Sequence, residues 1–322
     1  MVLCAIGFSA LTYWFATRPV ALSASPLDFE ITYGVGLRGA SQQMVAAGID
    51  MPAWQFTGLA RLLGKSAQIK AGSYEVEAGV TPLQLLQKLT RGDTSQGEVM
   101  VIEGKTFADF KQAIDSSADI RHDSAGLSNA ELLARLGIDM PHPEGLFFPD
   151  TYLFTKNSSD LDIYRRAHQA LARRLDTEWA GRAADLPYRN RYEALIMASI
   201  IEKETGRATD RDQIAAVFVN RLRSGMLLQT DPAVIYGIQQ FDGNLRKRDL
   251  QSDTPYNTYL RAGLPPTPIS LPGQEALHAA LHPAPSDNYY FVARGDGSSE
   301  FSRTLEDHNR AVVRYQKQRK GS

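Results

Sequence analysis

Residues Tyr192–Thr205 read as a helix whose apolar run ends in two carboxylates, and no other stretch constrains the fold as much. Residues three and four apart on a helix share a face, so Glu204 falls with Ile200, Ile201 and Met197, and Glu202 with Ser199 and Ala198. Lys203 points elsewhere. A carboxylate on an Ile/Met face is partly desolvated, and desolvation raises its pKa. A carboxyl protonated near neutral pH suits general acid cleavage of a glycosidic bond. The plainer alternative is a helix end bearing solvated charges, because buried carboxylates are rare. Glu204 is therefore the candidate catalytic acid, with Glu202 as its support or the second choice.

The rest of the chain narrows the chemistry. Its 322 residues allow two or three domains, with 43% hydrophobic and 22% charged residues as in ordinary folded proteins. A formal net charge of -1 gives no polyanion-binding surface, and no basic motif interleaved with aromatics points to nucleic acid. Cys4 is the one cysteine, which excludes an internal disulfide framework and a Cys-based zinc site.

Met1–Ala16 carries no charge and is closed by Arg18 and Pro19. A membrane anchor, a signal peptide and a buried helix all compete for it. Tyr13 and Trp14 near its end resemble an interfacial aromatic belt, which favours the anchor. Sixteen residues fall short of the ~20 expected of a spanning helix. No cation precedes the run, which points to a native start further upstream. Residues 18–27 read as a Ser/Ala/Pro linker.

From residue 28 the patterns mix. Asp28–Tyr33 alternates like a strand, followed by Gly34-Val35-Gly36-Leu37-Arg38-Gly39 and a helix. That GxGxxG lacks the second parallel strand of a dinucleotide site, since Met51–Leu63 reads as another helix, so it is taken as a glycine-rich turn. Ile69–Val76 is a strand. Thr81 and Pro82 open a helix closed by Gly92, Val99–Ile102 is a strand, and Thr106 caps the next helix. Residues 28–105 thus have the pattern of a compact α+β binding module. Pro143–Phe154 holds four aromatics, two prolines and two acids. It is either a sugar-binding wall including Phe147 and Phe148, or a hydrophobic plug.

Further helices are expected over 161–178, from Asp210 as N-cap to Gly225, over 274–281 and over 305–319, with a hairpin at 289–302 turning on Asp296-Gly297. A polar turn at Gln229, Thr230 and Asp231, and a loop with Tyr256, Asn257 and Tyr259, are candidates to line a saccharide cleft with Glu204. His278 and His282 have metal-ligand spacing, but Ala279 stands where the zincin signature needs Glu, so they read as a helix end. No metal and no cofactor are expected.

Several long motifs carry a family resemblance: KAGSYEV, EGLFFPDTYLF, ASIIEKETG, VFVNRLRSGMLLQTDPAVIYG, YNTY, GLPPTPISLPG, HPA and YFVARGDGSSEFSRTLEDHN. Over about residues 28–318 the chain resembles the YceG-like endolytic murein transglycosylases. The resemblance implies an α+β fold: a membrane anchor over 1–17, a small LysM-like module over 28–105, and a catalytic domain over 106–322 with a lytic-transglycosylase-like helical core. It implies an inner-membrane protein facing the periplasm that cuts nascent peptidoglycan strands without metal, with peptidoglycan synthases as candidate partners. Its catalytic Glu falls on Glu204, followed by Thr205. A peptidoglycan-binding scaffold, and a two-carboxylate hydrolase using Asp231 or Glu202, are the alternatives.

Overall fold

The computed structural model describes residues 2–94 and 96–317, and its mixed helices and short antiparallel ladders make an α+β fold. The chain divides into two units: Met1–Val99 with Ser117–His122 and Leu153–Asp160, and Met100–Ser116 with Asp123–Tyr152 and Leu161–Ser322. It therefore leaves the first unit at Val99 and returns to it twice, where the sequence places a boundary at residue 105.

The first unit begins with α1 (Val2–Thr17), β1 (Ala21–Leu22) and β2 (Leu27–Ile31), then α2 (Leu37–Ala46), β3 (Ile49–Asp50) and α3 (Ala53–Leu62). It continues through β4 (Gly72–Val76) and α4 (Pro82–Arg91) into β5 (Gln96–Met100). In β2 the residues Leu27, Phe29 and Ile31 alternate inward, and they pair antiparallel with Val76, Tyr74 and Gly72 of β4. Phe29 stacks on Tyr74 at 5.6 Å between centroids. This antiparallel ladder removes the parallel βαβ context, so the glycine motif serves only as the turn into α2, with Gly34 at φ 81°. Thr81 forms a capping box with Gln84, Pro82 sits in the first turn, and Gly92 ends α4 at φ 75°. Leu85, Leu86 and Leu89 of α4 are fully buried, each contributing roughly 2 kcal/mol of apolar transfer.

α1 is shorter than a membrane-spanning helix. Its sixteen residues rise about 24 Å, against a hydrocarbon core of ~30 Å. Among the described residues no helix is long and apolar enough to cross a membrane. The C-terminal part of α1 packs on α3 and α4 instead, burying Ala16.

The second unit holds α5 (Phe107–Asp115), α6 (Asn129–Leu136), α7 (Asp160–Gly181), α8 (Arg191–Glu204) and α9 (Ala208–Arg223), while β6 (Thr151–Thr155), which pairs with β5, lies mostly in the first. Short α10 (Asp231–Tyr236) and α11 (Lys247–Leu250) precede α12 (Gln274–Leu281), β7 (Tyr290–Ala293), β8 (Ser299–Ser302) and α13 (Leu305–Val312). A π-helical turn, Val313–Lys317, follows α13, and the last two residues of the helix expected to 319 lie outside the described residues. α8 is the axis of this unit. Ala194–Ile201 are all buried, and α9, α10 and α12 pack around them. The Ser199 hydroxyl accepts from the Ile269 amide at 3.0 Å, tying the loop before α12 to α8.

Two sequence expectations change here. Phe147 and Phe148 belong to the plug, not to a sugar-binding wall. Phe147 is fully buried, stacks on Phe107 at 5.3 Å and meets Tyr164 edge-on at 5.7 Å. Asp210 is not the N-cap of α9, which Arg207 occupies; its buried carboxylate instead accepts from the Ser299 amide at 2.7 Å and holds the β7–β8 hairpin.

Candidate active site

Glu204 is the last residue of α8. Thr205 turns extended (φ -150°), so the chain leaves the helix there and Glu204 stands half-buried at its exposed end. It borders a cleft of about 370 Å³ whose walls include Arg221 of α9, Gln229, Asp231, Tyr259 and Phe291. Burial pushes the Glu204 carboxyl up to about 7. The Thr230 hydroxyl pulls the value down, the Asp231 charge pushes it up and Arg221 pulls it down. The Thr230 hydroxyl is buried and makes no hydrogen bond of ordinary geometry, so it remains able to rotate toward the carboxyl.

The opposite wall is stitched together by backbone-directed hydrogen bonds. The Thr230 amide donates to the Thr258 hydroxyl at 3.0 Å, and the Gln229 amide to the Thr258 carbonyl at 3.1 Å. Gln229 sits at φ 53°, a left-handed conformation that a non-glycine residue holds only when its surroundings enforce it. The Tyr259 hydroxyl donates to Asp231 Oδ1 at 2.6 Å. Arg221 locks the corner: its Nε donates to the Tyr289 carbonyl at 2.7 Å and its Nη1 to the Leu228 carbonyl at 2.9 Å. Desolvation lowers the pKa of this buried guanidinium, yet it stays the cation facing the acid.

The structure thus brings Glu204, Gln229, Asp231 and Tyr259 to one cleft, with Thr230 behind it. Other expected site residues lie elsewhere. Asn257 is fully buried and folds its own loop, donating to the Leu250 and Ser252 carbonyls at 3.1 and 2.7 Å and accepting from the Tyr259 amide at 3.0 Å. Tyr256 packs edge-on against Tyr236, 4.9 Å away, and shares a hydrogen bond with Thr267. Glu202 turns away and accepts from the Gly273 amide at 2.9 Å; burial, opposed by that bond, raises its pKa.

Arg221, Phe291 and His308 also border the cleft, and sequence reasoning did not select them. Arg221 was detectable: it lies three, four and seven residues after Phe218, Val217 and Ile214, on the apolar face of its helix. Glu144, inside EGLFFPDTYLF, was passed over too. It accepts from the Phe107 amide at 2.8 Å and the Tyr236 hydroxyl at 2.9 Å, and burial pushes it up to about 7. Among the described residues, side chains able to share a metal ion cluster at Glu178, His278 and His282, none of which lines the cleft.

An acid held near neutrality on an open polar cleft, beside a buried arginine, has the chemistry that general acid–base catalysis needs. Residues 29–314 match the YceG-like family, and the chain belongs to that family. An endolytic murein transglycosylase of Bacillus subtilis (strain 168) is 33% identical over 267 residues, covering 76% of this chain and 73% of the relative. An endolytic murein transglycosylase of Streptococcus pneumoniae (serotype 2, strain D39) is 28% identical over 282 residues, and the chain spans about half of that longer relative (51%). The crystal structure of a YceG-like protein of Listeria monocytogenes is similar with a TM-score of 0.55 and 28% identity, over 89% of this chain and 98% of that one.

Proposed function

We propose that this chain is an endolytic peptidoglycan lytic transglycosylase, cutting the bond between MurNAc and GlcNAc within nascent strands and so terminating their elongation. The observation that carries the proposal is Glu204, held at about 7 on the cleft. The activity named for the bacillary and pneumococcal relatives supports it. Protonated Glu204 donates to the glycosidic oxygen as the C–O bond to the MurNAc anomeric carbon breaks. The resulting carboxylate then takes the proton of the MurNAc C6 hydroxyl, whose oxygen attacks that carbon and closes a 1,6-anhydro ring. The nucleophile is tethered to the reacting sugar, so proximity replaces a bound water. One carboxyl acts first as acid and then as base, and no second catalytic carboxylate is required. Arg221 steadies the carboxylate between the two steps. Tyr259, Asp231 and Gln229 supply hydrogen-bonding groups for sugar hydroxyls.

Digestion of purified uncrosslinked glycan, read by mass spectrometry, tests this. The expected ends are 1,6-anhydroMurNAc, one water lighter than reducing MurNAc, on long early fragments. Reducing ends that take oxygen from labelled water would mean hydrolysis, with Asp231 as the second carboxylate to examine. No cleavage at all would leave a binding scaffold.

The finer architecture and location belong to the same proposal. Residues 28–105 serve as a LysM-like glycan-binding module, residues 106–322 as a catalytic domain with a lytic-transglycosylase-like helical core, and the cleft faces the periplasm from the inner membrane. Attachment uses α1. Its Leu11, Tyr13 and Trp14 are exposed, and Leu11 and Trp14, with exposed Trp54 and Leu62 of α3, border an apolar groove of about 210 Å³. Arg18 lies over the Trp14 ring at 4.8 Å, a pairing suited to lipid headgroups. Fractionation and protease access in spheroplasts test this; a soluble cytoplasmic pool without a membrane fraction would overturn both location and substrate.

A further inference from the structure

We propose that Glu178, His278 and His282 form a zinc site that staples α7 to α12, apart from the catalytic cleft. His278 and His282 lie four residues apart at the C-terminal end of α12, their rings stacked at 4.3 Å. Sequence spacing left this pair without a third ligand. The fold supplies it from α7: Glu178 Oε2 lies 3.0 Å from His278 Nδ1 and 3.3 Å from His282 Nε2. The three donor atoms all lie within 4.8 Å of one another.

These distances fit a shared ion. Zinc bonds of about 2.0–2.1 Å to nitrogen and oxygen, arranged tetrahedrally, set donor atoms about 3.3 Å apart. Both measured oxygen–nitrogen separations are within a few tenths of an ångström of that edge. Two imidazoles converge on a single carboxylate oxygen, whose two lone pairs can serve both rings as a hydrogen-bond acceptor. The same atoms form a good ligand set, with two borderline nitrogens and one anionic oxygen. The outer support is present as well. The Gln274 amide donates to Glu178 Oε1 at 2.7 Å, orienting the carboxylate and leaving Oε2 for the ion. Glu178 is mostly buried and already held, while His278 is half exposed, so an ion can enter from solvent and keep water as its fourth ligand. Nickel or cobalt would suit the same donors; zinc is chosen because it accepts this coordination without a geometric preference of its own.

The site has a mechanical consequence. α12 packs against α8, the helix that carries Glu204. An ion shared by α7 and α12 clamps one neighbour of the catalytic helix without touching substrate, so it stabilises the unit and leaves the chemistry intact.

The test uses the full-length, tag-free protein in detergent, stripped with EDTA and dialysed against micromolar zinc. Wild type is expected to retain one zinc per chain by elemental analysis, and Co²⁺ in its place should show tetrahedral d–d absorption. His278→Ala and Glu178→Gln should each bind at least tenfold more weakly. At a hundredfold excess over Kd, zinc should raise the wild-type melting temperature by on the order of 5 °C and leave that of His278→Ala unchanged. His278 is exposed, so its variant folds, and circular dichroism confirms this. No retained zinc, or equal retention by wild type and His278→Ala, overturns the proposal.

Discussion

Glu204→Gln should make the protein more stable, and increasingly so as pH rises. The substitution keeps shape and removes the charge. In the folded protein Glu204 titrates at about 7, above its ordinary value of 4.5. A raised carboxyl pKa means that the folded state prefers the acid and disfavours the carboxylate. The destabilisation is therefore absent well below 4.5, grows through the window from 4.5 to about 7 and is constant above it. At about 1.4 kcal/mol per pKa unit the plateau is about 3 kcal/mol, and the same linkage gives about 0.8 kcal/mol at pH 5. The stability of Glu204→Gln relative to wild type should thus increase by about 2.5 kcal/mol between pH 5 and pH 8, or about 5–10 °C in melting temperature for a unit of this size. Glu144 titrates in the same range, but both proteins contain it, so it cancels in the difference. Thermal unfolding of both proteins by circular dichroism across this range is the assay. A difference that stays flat with pH would mean that the Glu204 carboxyl is solvated in the ordinary way, and the general-acid assignment would fall with it.

Strand cleavage by Glu204→Gln should drop by roughly 10²–10⁴, the usual worth of general acid–base catalysis, measured as 1,6-anhydro ends released. Wild-type cleavage should decline as pH rises through about 7, where the acid form of Glu204 is lost, and a rate that keeps climbing to alkaline pH would contradict this. Asn257→Ala should lower stability by about 1–3 kcal/mol in denaturant titration, because the Leu250 and Ser252 carbonyls lose a buried donor, and should weaken glycan binding as Tyr259 loosens. Gly145→Ala should be among the more destabilising changes on a thermal melt: Gly145 sits at φ 77°, and an added Cβ would lie 2.4 Å from the Pro268 ring. EDTA should leave cleavage unchanged while lowering the melting temperature, and zinc should restore it.

Much of the fold was legible because local chemistry decided it. Thr81, Pro82 and Gly92 bound α4 where capping rules place its ends, and the Asp296-Gly297 turn joins two strands as expected. Helix 274–281 was legible from its own sequence. The misses arose where tertiary partners override local signals. Asp210 has the composition of an N-cap, but the Ser299 amide, eighty-nine residues away, claims its carboxylate. Aromatics and acids in Pro143–Phe154 fit a sugar wall and a core plug equally by composition. Only the packing of Phe147 between Phe107 and Tyr164 separates the two.

The candidate site divides along the same line. Glu204 was readable because helical periodicity places it on the Ile200/Ile201 face, and burial, with the Asp231 charge brought in from distant sequence, raises its pKa. Glu202, two residues earlier, has the same side chain and also a raised pKa, so residue type and titration do not distinguish the pair. Geometry does. Glu202 spends an oxygen on the Gly273 amide and builds the loop before α12, while Glu204 keeps its carboxyl toward the cleft. The His278/His282 pair shows the converse. Its i, i+4 spacing was visible but incomplete, because the third donor comes from a helix one hundred residues earlier. Ligand sets assembled across helices are set by packing, so the sequence exposes the half that one helix carries and hides the half that completes it.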